Sequence, residues 1–206
     1  MAKTASSRKW LDRQHSDPYV KRAQREGYRS RAAYKLLEIQ EKDRIFRPGM
    51  RVLDLGAAPG SWSQIAARLV GARGSVVALD LLPMDPLAGV VVMQGDFREP
   101  EILDRLCATL GGESLDLVLS DMAPNITGMT VVDQPRSMYL VELALDLARS
   151  RLQPGGALVV KVFQGTGFDD ILTELRRSFA KVVSRKPKSS RSQSRELYLV
   201  AKGFHR

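Results

Sequence analysis

Cysteine is almost missing: Cys107 is the only one in 206 residues, so no disulfide can form within the chain, and a reducing cytoplasmic setting is expected. Histidine is nearly as scarce. His15 and His205 lie in the two tails, and with no His/Cys cluster no metal site is expected. No apolar run approaches the length of a membrane span, and the first residues, MAKTASSRKWLDRQHSDPY, carry no apolar stretch of the signal-peptide kind. Internal repeats are absent, and the one low-complexity stretch is the Ser/Arg-rich segment 189–195. What remains is ordinary for a globular protein: 44% hydrophobic residues, a length suited to one α/β domain with a modest extension, and enough chain to bury a core.

Charge is unevenly spread. The net charge is +9. Residues 1–31 hold nine Lys/Arg and three Asp/Glu, and residues 176–206 hold ten and one. The 144 residues between them carry thirteen and nineteen, a net of −6. Basic ends around an acidic body point to a polyanionic partner. The plainer reading is solubilising tails. A membrane surface fits less well, because the basic stretches lack an apolar face.

The pattern divides the chain into a basic N-terminal extension, 1–30, and a body, 31–206. Residues 1–17 are expected to be mobile, and 18–27 to form a short helix ended by Gly27. Ser30 is expected to cap a helix over 31–44, with Ala33, Leu36, Leu37 and Ile39 facing the core. Beyond Pro48-Gly49, strands are predicted at 51–55, 75–80, 90–93, 115–120 and 156–163. Helices are predicted at 62–70, 99–110, 134–151 and 168–178. This alternation predicts a parallel sheet covered on both faces. Residues 181–185 and 196–201 read as a closing antiparallel hairpin around a basic loop, 186–195.

The first strand runs into Asp54-Leu-Gly-Ala-Ala-Pro-Gly60, a turn of small residues that lets backbone come close to a ligand. The turn from Gly56 through Pro59 to Gly60 lacks the Gly-x-Gly-x-x-Gly spacing of dinucleotide sites. An acidic strand end followed by Gly-x-x-x-Gly is more typical of S-adenosylmethionine (SAM) sites. Asp80 ends the second predicted strand and can hold two ribose hydroxyls. Asp96 follows the third and can accept from an adenine amino group, with Phe97 as an apolar surface beside it. Either aspartate can instead be a simple turn cap. Trp62 suits core packing as well as ligand contact.

Two further polar groups sit at strand ends: Asp121, in Ser120-Asp-Met-Ala-Pro-Asn125, and Lys161, inside an apolar run. A buried lysine needs a partner or a function, and Asp121 can supply the partner charge; the alternative is a lysine snorkelling at an edge. Cytosine C5 methylation needs a cysteine nucleophile, and Cys107 falls in a helix away from the strand ends. Amino-methylating enzymes usually show an Asn/Asp-Pro-Pro-aromatic motif where this chain has Asp-Met-Ala-Pro-Asn.

Taken together, Ser30-Arg-Ala-Ala-Tyr-Lys35, Asp54 to Gly60, Asp80-Leu-Leu-Pro-Met-Asp85, Gln94-Gly-Asp-Phe97, Ser120 to Asn125, Lys161-Val-Phe-Gln-Gly165 and Ser194-Arg-Glu-Leu-Tyr198 closely resemble the FtsJ family. The resemblance runs from about Tyr28 to the C-terminus. It implies a Rossmann-like SAM-dependent methyltransferase fold with a mostly parallel seven-stranded sheet. It also implies methylation of a ribose 2′-hydroxyl: that of a uridine in the A loop of 23S rRNA, within the large ribosomal subunit. The family's Lys-Asp-Lys-Glu tetrad falls on Lys35, Asp121, Lys161 and Glu196. Its cofactor contacts fall on Gly60, Trp62, Asp80, Asp96 and Asp121, with no departure at these positions. A lysine is ordinarily charged at neutral pH. Burial and the charge of Lys35 favour a neutral Lys161, while Asp121 and Glu196 favour the cation. Two roles therefore stay open, general base or cation stabilising an alkoxide. The enzyme is expected to act as a monomer. The alternatives are the same chemistry on tRNA, a non-catalytic ribosome assembly factor on this scaffold and, more distantly, an NAD-dependent oxidoreductase.

Overall fold

Strands and helices alternate much as the hydrophobic pattern requires. The structure, a computed structural model, describes residues 17–125, 127–191 and 193–205. All of the expected N-terminal tail except Asp17 lies outside the described residues. The elements are α1 (Pro18–Arg25), α2 (Ala33–Asp43), β1 (Arg51–Leu55), α3 (Ser61–Val70), β2 (Ser75–Asp80), β3 (Val90–Gln94) and α4 (Pro100–Thr109). They continue with β4 (Leu115–Ser120), α5 (Thr130–Arg151), β5 (Leu152–Phe163), α6 (Phe168–Ser178), β6 (Phe179–Arg185) and β7 (Glu196–Phe204).

The seven strands form one sheet in the order β3-β2-β1-β4-β5-β7-β6. Strands β1 to β5 pair in parallel, whereas β7 is antiparallel to both neighbours. So β7 lies inside the sheet, between β5 and β6, and Glu196 is not on an edge strand. The central strands are covered on both sides, which is why they read as near-continuous apolar runs. One face packs Leu53, Val118, Leu158 and Leu199 against α4, α5 and α6. The other packs Val52, Leu117, Val159 and Tyr198 against α2 and α3.

Among the boundaries that differ from the sequence expectation, three have a clear physical reason. Ser30 does not cap α2. Its Oγ accepts from the Ala32 N–H at 3.2 Å and lies 2.8 Å from Ser61 Oγ, so it joins a preceding turn to the start of α3. The α2 helix starts at Ala33 with no side-chain cap. Helix α5 begins at Thr130 and carries Pro135 inside it. Proline suits a first turn and has no N–H for the carbonyl four residues back, yet the helix here begins ahead of it, against the expected start at 134. Asp133 holds the segment before the helix by accepting from the Thr127 and Gly128 N–H groups at 2.9 Å. Strand β5 begins at Leu152, before Pro154-Gly155, because Leu152 pairs with Leu115 ahead of a register shift.

Helix α2 also fixes the C-terminal hairpin. Asp43 accepts two bonds from Arg185 at 2.8 and 2.6 Å, and Glu38 accepts the Lys188 and Ser189 N–H groups at 2.6 and 2.9 Å. The basic loop after β6 is therefore held over α2. Among the described residues, no helix is long and apolar enough to cross a membrane.

Leu117 is fully buried in the middle of β4. Leu117→Ala should cost about 2–5 kcal/mol, seen as a lower denaturant midpoint at unchanged slope in equilibrium unfolding.

Candidate active site

The sheet reverses its winding between β1 and β4, where a crevice opens at the carboxyl ends of the strands. A cleft of about 410 Å³ lies there, within the range of small-molecule sites. Gly56 forms its floor with φ 70°, and a Cβ on it would stand 2.6 Å from Met122 Cγ, so only glycine allows this approach of the β1 and β4 turns. Gly60, at φ 105°, is equally constrained: a Cβ there would meet Met84, Arg29 and Leu87.

Asp80, Asp96 and Asp121 all line this cleft, together with Phe97. Asp80 accepts the Ala58 N–H at 2.9 Å and the Leu82 N–H at 2.8 Å. Asp96 accepts the Arg98 N–H at 3.0 Å and pairs with its guanidinium, which together hold its carboxyl below the usual range. Both aspartates therefore cap turns and also face the cleft. Carboxylate oxygens have lone pairs beyond those contacts. Leu81 and Leu82 stand 61% and 64% exposed beside Asp80, an apolar wall that a flat ring would cover. They were not singled out from sequence, although two leucines straight after a strand-end acid are a readable signal. Pro59 follows a cis Ala58–Pro59 bond, next to Ala58 of the lining. Trp62 is 2% exposed in the core; its indole N–H donates to the Ala32 carbonyl at 2.8 Å and its ring packs on Tyr198.

The second group forms next to this cleft. Lys161 and Tyr198 are register partners on β5 and β7, and Glu196 lies two residues earlier on the same face of β7. Lys161 is 8% exposed. Its Nζ lies 3.0 Å from Asp121 Oδ1 and also donates to the Asp121 carbonyl. The Tyr198 hydroxyl donates to the same Oδ1 at 2.7 Å. Lys35 reaches over from α2: its Nζ is 2.7 Å from Glu196 Oε1 and 5.7 Å from the centre of the Tyr198 ring. The four predicted residues are thus brought together, with Tyr198 among them. Its place was readable from the period-2 alternation Glu196, Tyr198.

Electrostatics follow from this packing. Burial alone would push Asp121 up, but the charges of Lys161 and Lys35 and the Tyr198 hydroxyl outweigh it and hold the carboxyl below its ordinary range. Glu196 behaves alike: burial raises it, and Lys35 more than offsets that. Burial pushes the Tyr198 phenol well up, reinforced by Asp121 and Glu196. Near neutral pH the group therefore holds two ionised carboxylates and a neutral phenol. Chemically it can align a hydroxyl, take or share its proton and stabilise an oxyanion. Among the described residues, no group of three or more His, Cys, Asp or Glu could hold a metal ion.

Sequence and structural comparisons bear on this arrangement. The family profile described as FtsJ-like methyltransferase matches residues 28–204. A protein of Alkalilimnicola ehrlichii named ribosomal RNA large subunit methyltransferase E is 63% identical over 198 residues, covering 96% of this chain and 95% of its own. The protein of the same name from Pseudomonas aeruginosa is 57% identical over 204 residues, 99% of each chain. A crystal structure of a ribosomal RNA methyltransferase from Plasmodium falciparum superposes with a TM-score of 0.77 at 32% identity, covering 86% of this chain and 98% of that one. The MycE methyltransferase of mycinamycin biosynthesis, in complex with Mg and SAH, shares the fold alone, with a TM-score of 0.53 at 19% identity over 82% of this chain and 47% of that one.

Asp54, the acid of the β1 motif, is fully buried under the turn. Ser63 Oγ donates to its Oδ2 at 2.6 Å, and Oδ1 has no partner among the described residues. Burial raises this carboxyl to about 7, with Ser63 opposing and the charges of Asp121 and Asp80 adding. The folded value lies above that of an unfolded carboxylate, about 4. The site therefore contributes stability at low pH that is lost as pH rises through about 7. Between about pH 5 and pH 8, the wild-type chain should lose about 2–3 kcal/mol relative to Asp54→Asn, measured by denaturant unfolding of both at each pH.

Proposed function

The chain belongs to the FtsJ-like methyltransferase family, and on that premise we propose that it transfers a methyl group from SAM to the 2′-hydroxyl of a uridine ribose in the A loop of 23S rRNA, in the large ribosomal subunit. The observation that carries the reading is the buried Lys161–Asp121 pair beside a nucleoside-sized cleft, in a chain whose relatives at 57–63% identity carry an rRNA large-subunit methyltransferase name.

The cleft suits the methyl donor by its own chemistry. Asp80 would accept from ribose hydroxyls and Asp96 from the adenine amino group, against the apolar surfaces of Leu81, Leu82 and Phe97. Gly56, Pro59 and Gly60 shape the turn beneath, and Trp62 supports it from the core. When bound, the cofactor supplies an activated methyl group on a sulfonium. Asp121 faces both the cleft and Lys161, so it would join the donor and acceptor halves.

The protein's share of the chemistry is alignment and proton handling. Alignment contributes up to about 7–11 kcal/mol in ideal cases. Lys161 would hold the attacking 2′-hydroxyl. Two of its bonding directions are taken by the Asp121 carboxylate and carbonyl. The third serves either as the lone pair that accepts the hydroxyl proton or as an N–H that stabilises the oxyanion. A rate that rises with pH to a plateau would select the base. Lys35 and Glu196 would position and tune this group, and the basic ends of the chain would hold the rRNA backbone. In this reading the enzyme works as a cytoplasmic monomer and needs no metal.

Lys161→Ala should abolish methyl transfer from labelled SAM to large subunits while SAM binding persists; transfer at the wild-type rate would sink the role of Lys161. Offering large subunits, naked 23S rRNA and tRNA side by side should give transfer to the subunits, whereas preference for tRNA would replace the substrate. Affinity for the subunit should fall steeply with salt, by about tenfold or more between 50 and 200 mM, in a filter-binding titration.

A further inference from the structure

Arg29 lies between α1 and α2, outside both the cleft lining and the Lys-Asp-Lys-Glu group. Its guanidinium nonetheless holds three backbone carbonyls. Nη1 donates to Pro59 O at 3.0 Å and to Asp85 O at 2.8 Å, and Nη2 donates to Pro86 O at 2.8 Å. Pro59 belongs to the turn after β1, whereas Asp85 and Pro86 belong to the loop after β2. The turn and the loop provide facing parts of the cleft, through Gly56 and Ala58 on one side and Asp80, Leu81 and Leu82 on the other.

They are tied twice. On the cleft side, the Ala58 N–H donates to Asp80 at 2.9 Å. On the far side, Arg29 bridges them. The guanidinium comes so close that a Cβ on Gly60 would stand 2.9 Å from Nη1, so part of the need for glycine at this position comes from Arg29. Arg29 is itself braced: its N–H reaches Gln64 Oε1 at 3.4 Å, and Gln64 Nε2 donates to Gly27 O at 2.8 Å. A planar fork of charged donors can satisfy three carbonyls from two segments at once, which a lysine ammonium on a flexible stem does less well.

We propose that Arg29 is a positioning residue for the methyl donor, a clamp that sets the spacing between the β1 turn and the β2 loop and so the width of the cleft that takes the nucleoside. This rests on the reading of the cleft given above. Arg29 touches neither cofactor nor acceptor in this role. Its loss acts on cofactor affinity and leaves turnover alone once the cofactor is saturating.

The test compares full-length wild type, Arg29→Met, Arg29→Lys and Gln64→Leu. Each is titrated with S-adenosylhomocysteine by calorimetry and assayed with labelled SAM and large subunits, with its melting temperature recorded. Arg29→Met should weaken S-adenosylhomocysteine binding and raise the KM for SAM by about tenfold. The kcat and the KM for subunits should stay within about twofold, and Arg29→Lys should recover part of the loss. Gln64→Leu removes only the brace and should show a smaller loss in the same direction, which keeps the proposal testable if Arg29→Met fails to fold. Cofactor affinity unchanged in Arg29→Met, or in both Arg29→Lys and Gln64→Leu, overturns the clamp, as does a loss confined to kcat or to the KM for subunits. If the wild-type chain binds no S-adenosylhomocysteine, the reading of the cleft falls and takes the clamp with it.

Discussion

A lysine amino group almost out of reach of water, 3.0 Å from a carboxylate, sets the terms for the carboxyl end of this sheet. Removing two charges from water is costly, and such a pair persists only where its geometry is good and the remaining donors and acceptors find partners. Here the partners come from three adjacent strands. Asp121 follows β4, Lys161 stands on β5, and Tyr198 on β7 donates to the same carboxylate oxygen. The sheet order β4-β5-β7 is therefore a condition of the pair. Two residues along β7, Glu196 meets Lys35 from α2. This balances the second cation with a second carboxylate and holds the helix across the site.

The other half of the crevice follows a different logic. Strands β1, β2 and β3 end in a small-residue turn, in Asp80 and in the turn holding Asp96, and the backbone is folded tightly enough that Gly56 touches Met122. The carboxylates there are acceptors, with Arg98 of the lining paired to Asp96, and Leu81 and Leu82 are exposed apolar groups beside them. Donor cleft and acceptor group share one residue, Asp121. In the proposed reaction that sharing is what brings a methyl donor and a ribose hydroxyl to one place, because a shift of the β4 turn would move both halves together.

Charge distribution acts at longer range. The acidic middle of the chain holds the strand-end carboxylates, while Lys188 and Ser189 of the basic loop are fastened over α2 by Glu38. Arg31 binds the Ser189 carbonyl of the same loop and pairs with Asp17 at the start of α1. Arg31 thus joins basic residues near both ends of the described chain close to the Lys35–Glu196 pair, an arrangement that in the proposed reaction would suit a polyanionic acceptor.

Much of this was determined by the sequence alone. Short apolar runs and period-3.6 patterning located each strand and helix, though not every boundary, because strands buried on both faces and helices buried on one leave different apolar spacings. Gly spacing and strand-end acids pointed to the cofactor class, and the motif set placed Lys35, Asp121, Lys161 and Glu196. Tertiary structure decided what local pattern cannot carry. Ser30 was drawn from capping α2 to bonding Ser61, and β5 was extended through a Pro-Gly by pairing with Leu115. Trp62 was settled into the core, and β7 was inserted between β5 and β6, so that Tyr198 came to Asp121. Arg29 gave no sequence signal at all, since carbonyls 30 and 57 residues away become its partners only when two loops fold against each other. Periodicity reports which face of an element is buried; which groups then meet depends on contacts distant in the chain, and these exist only once the sheet has assembled.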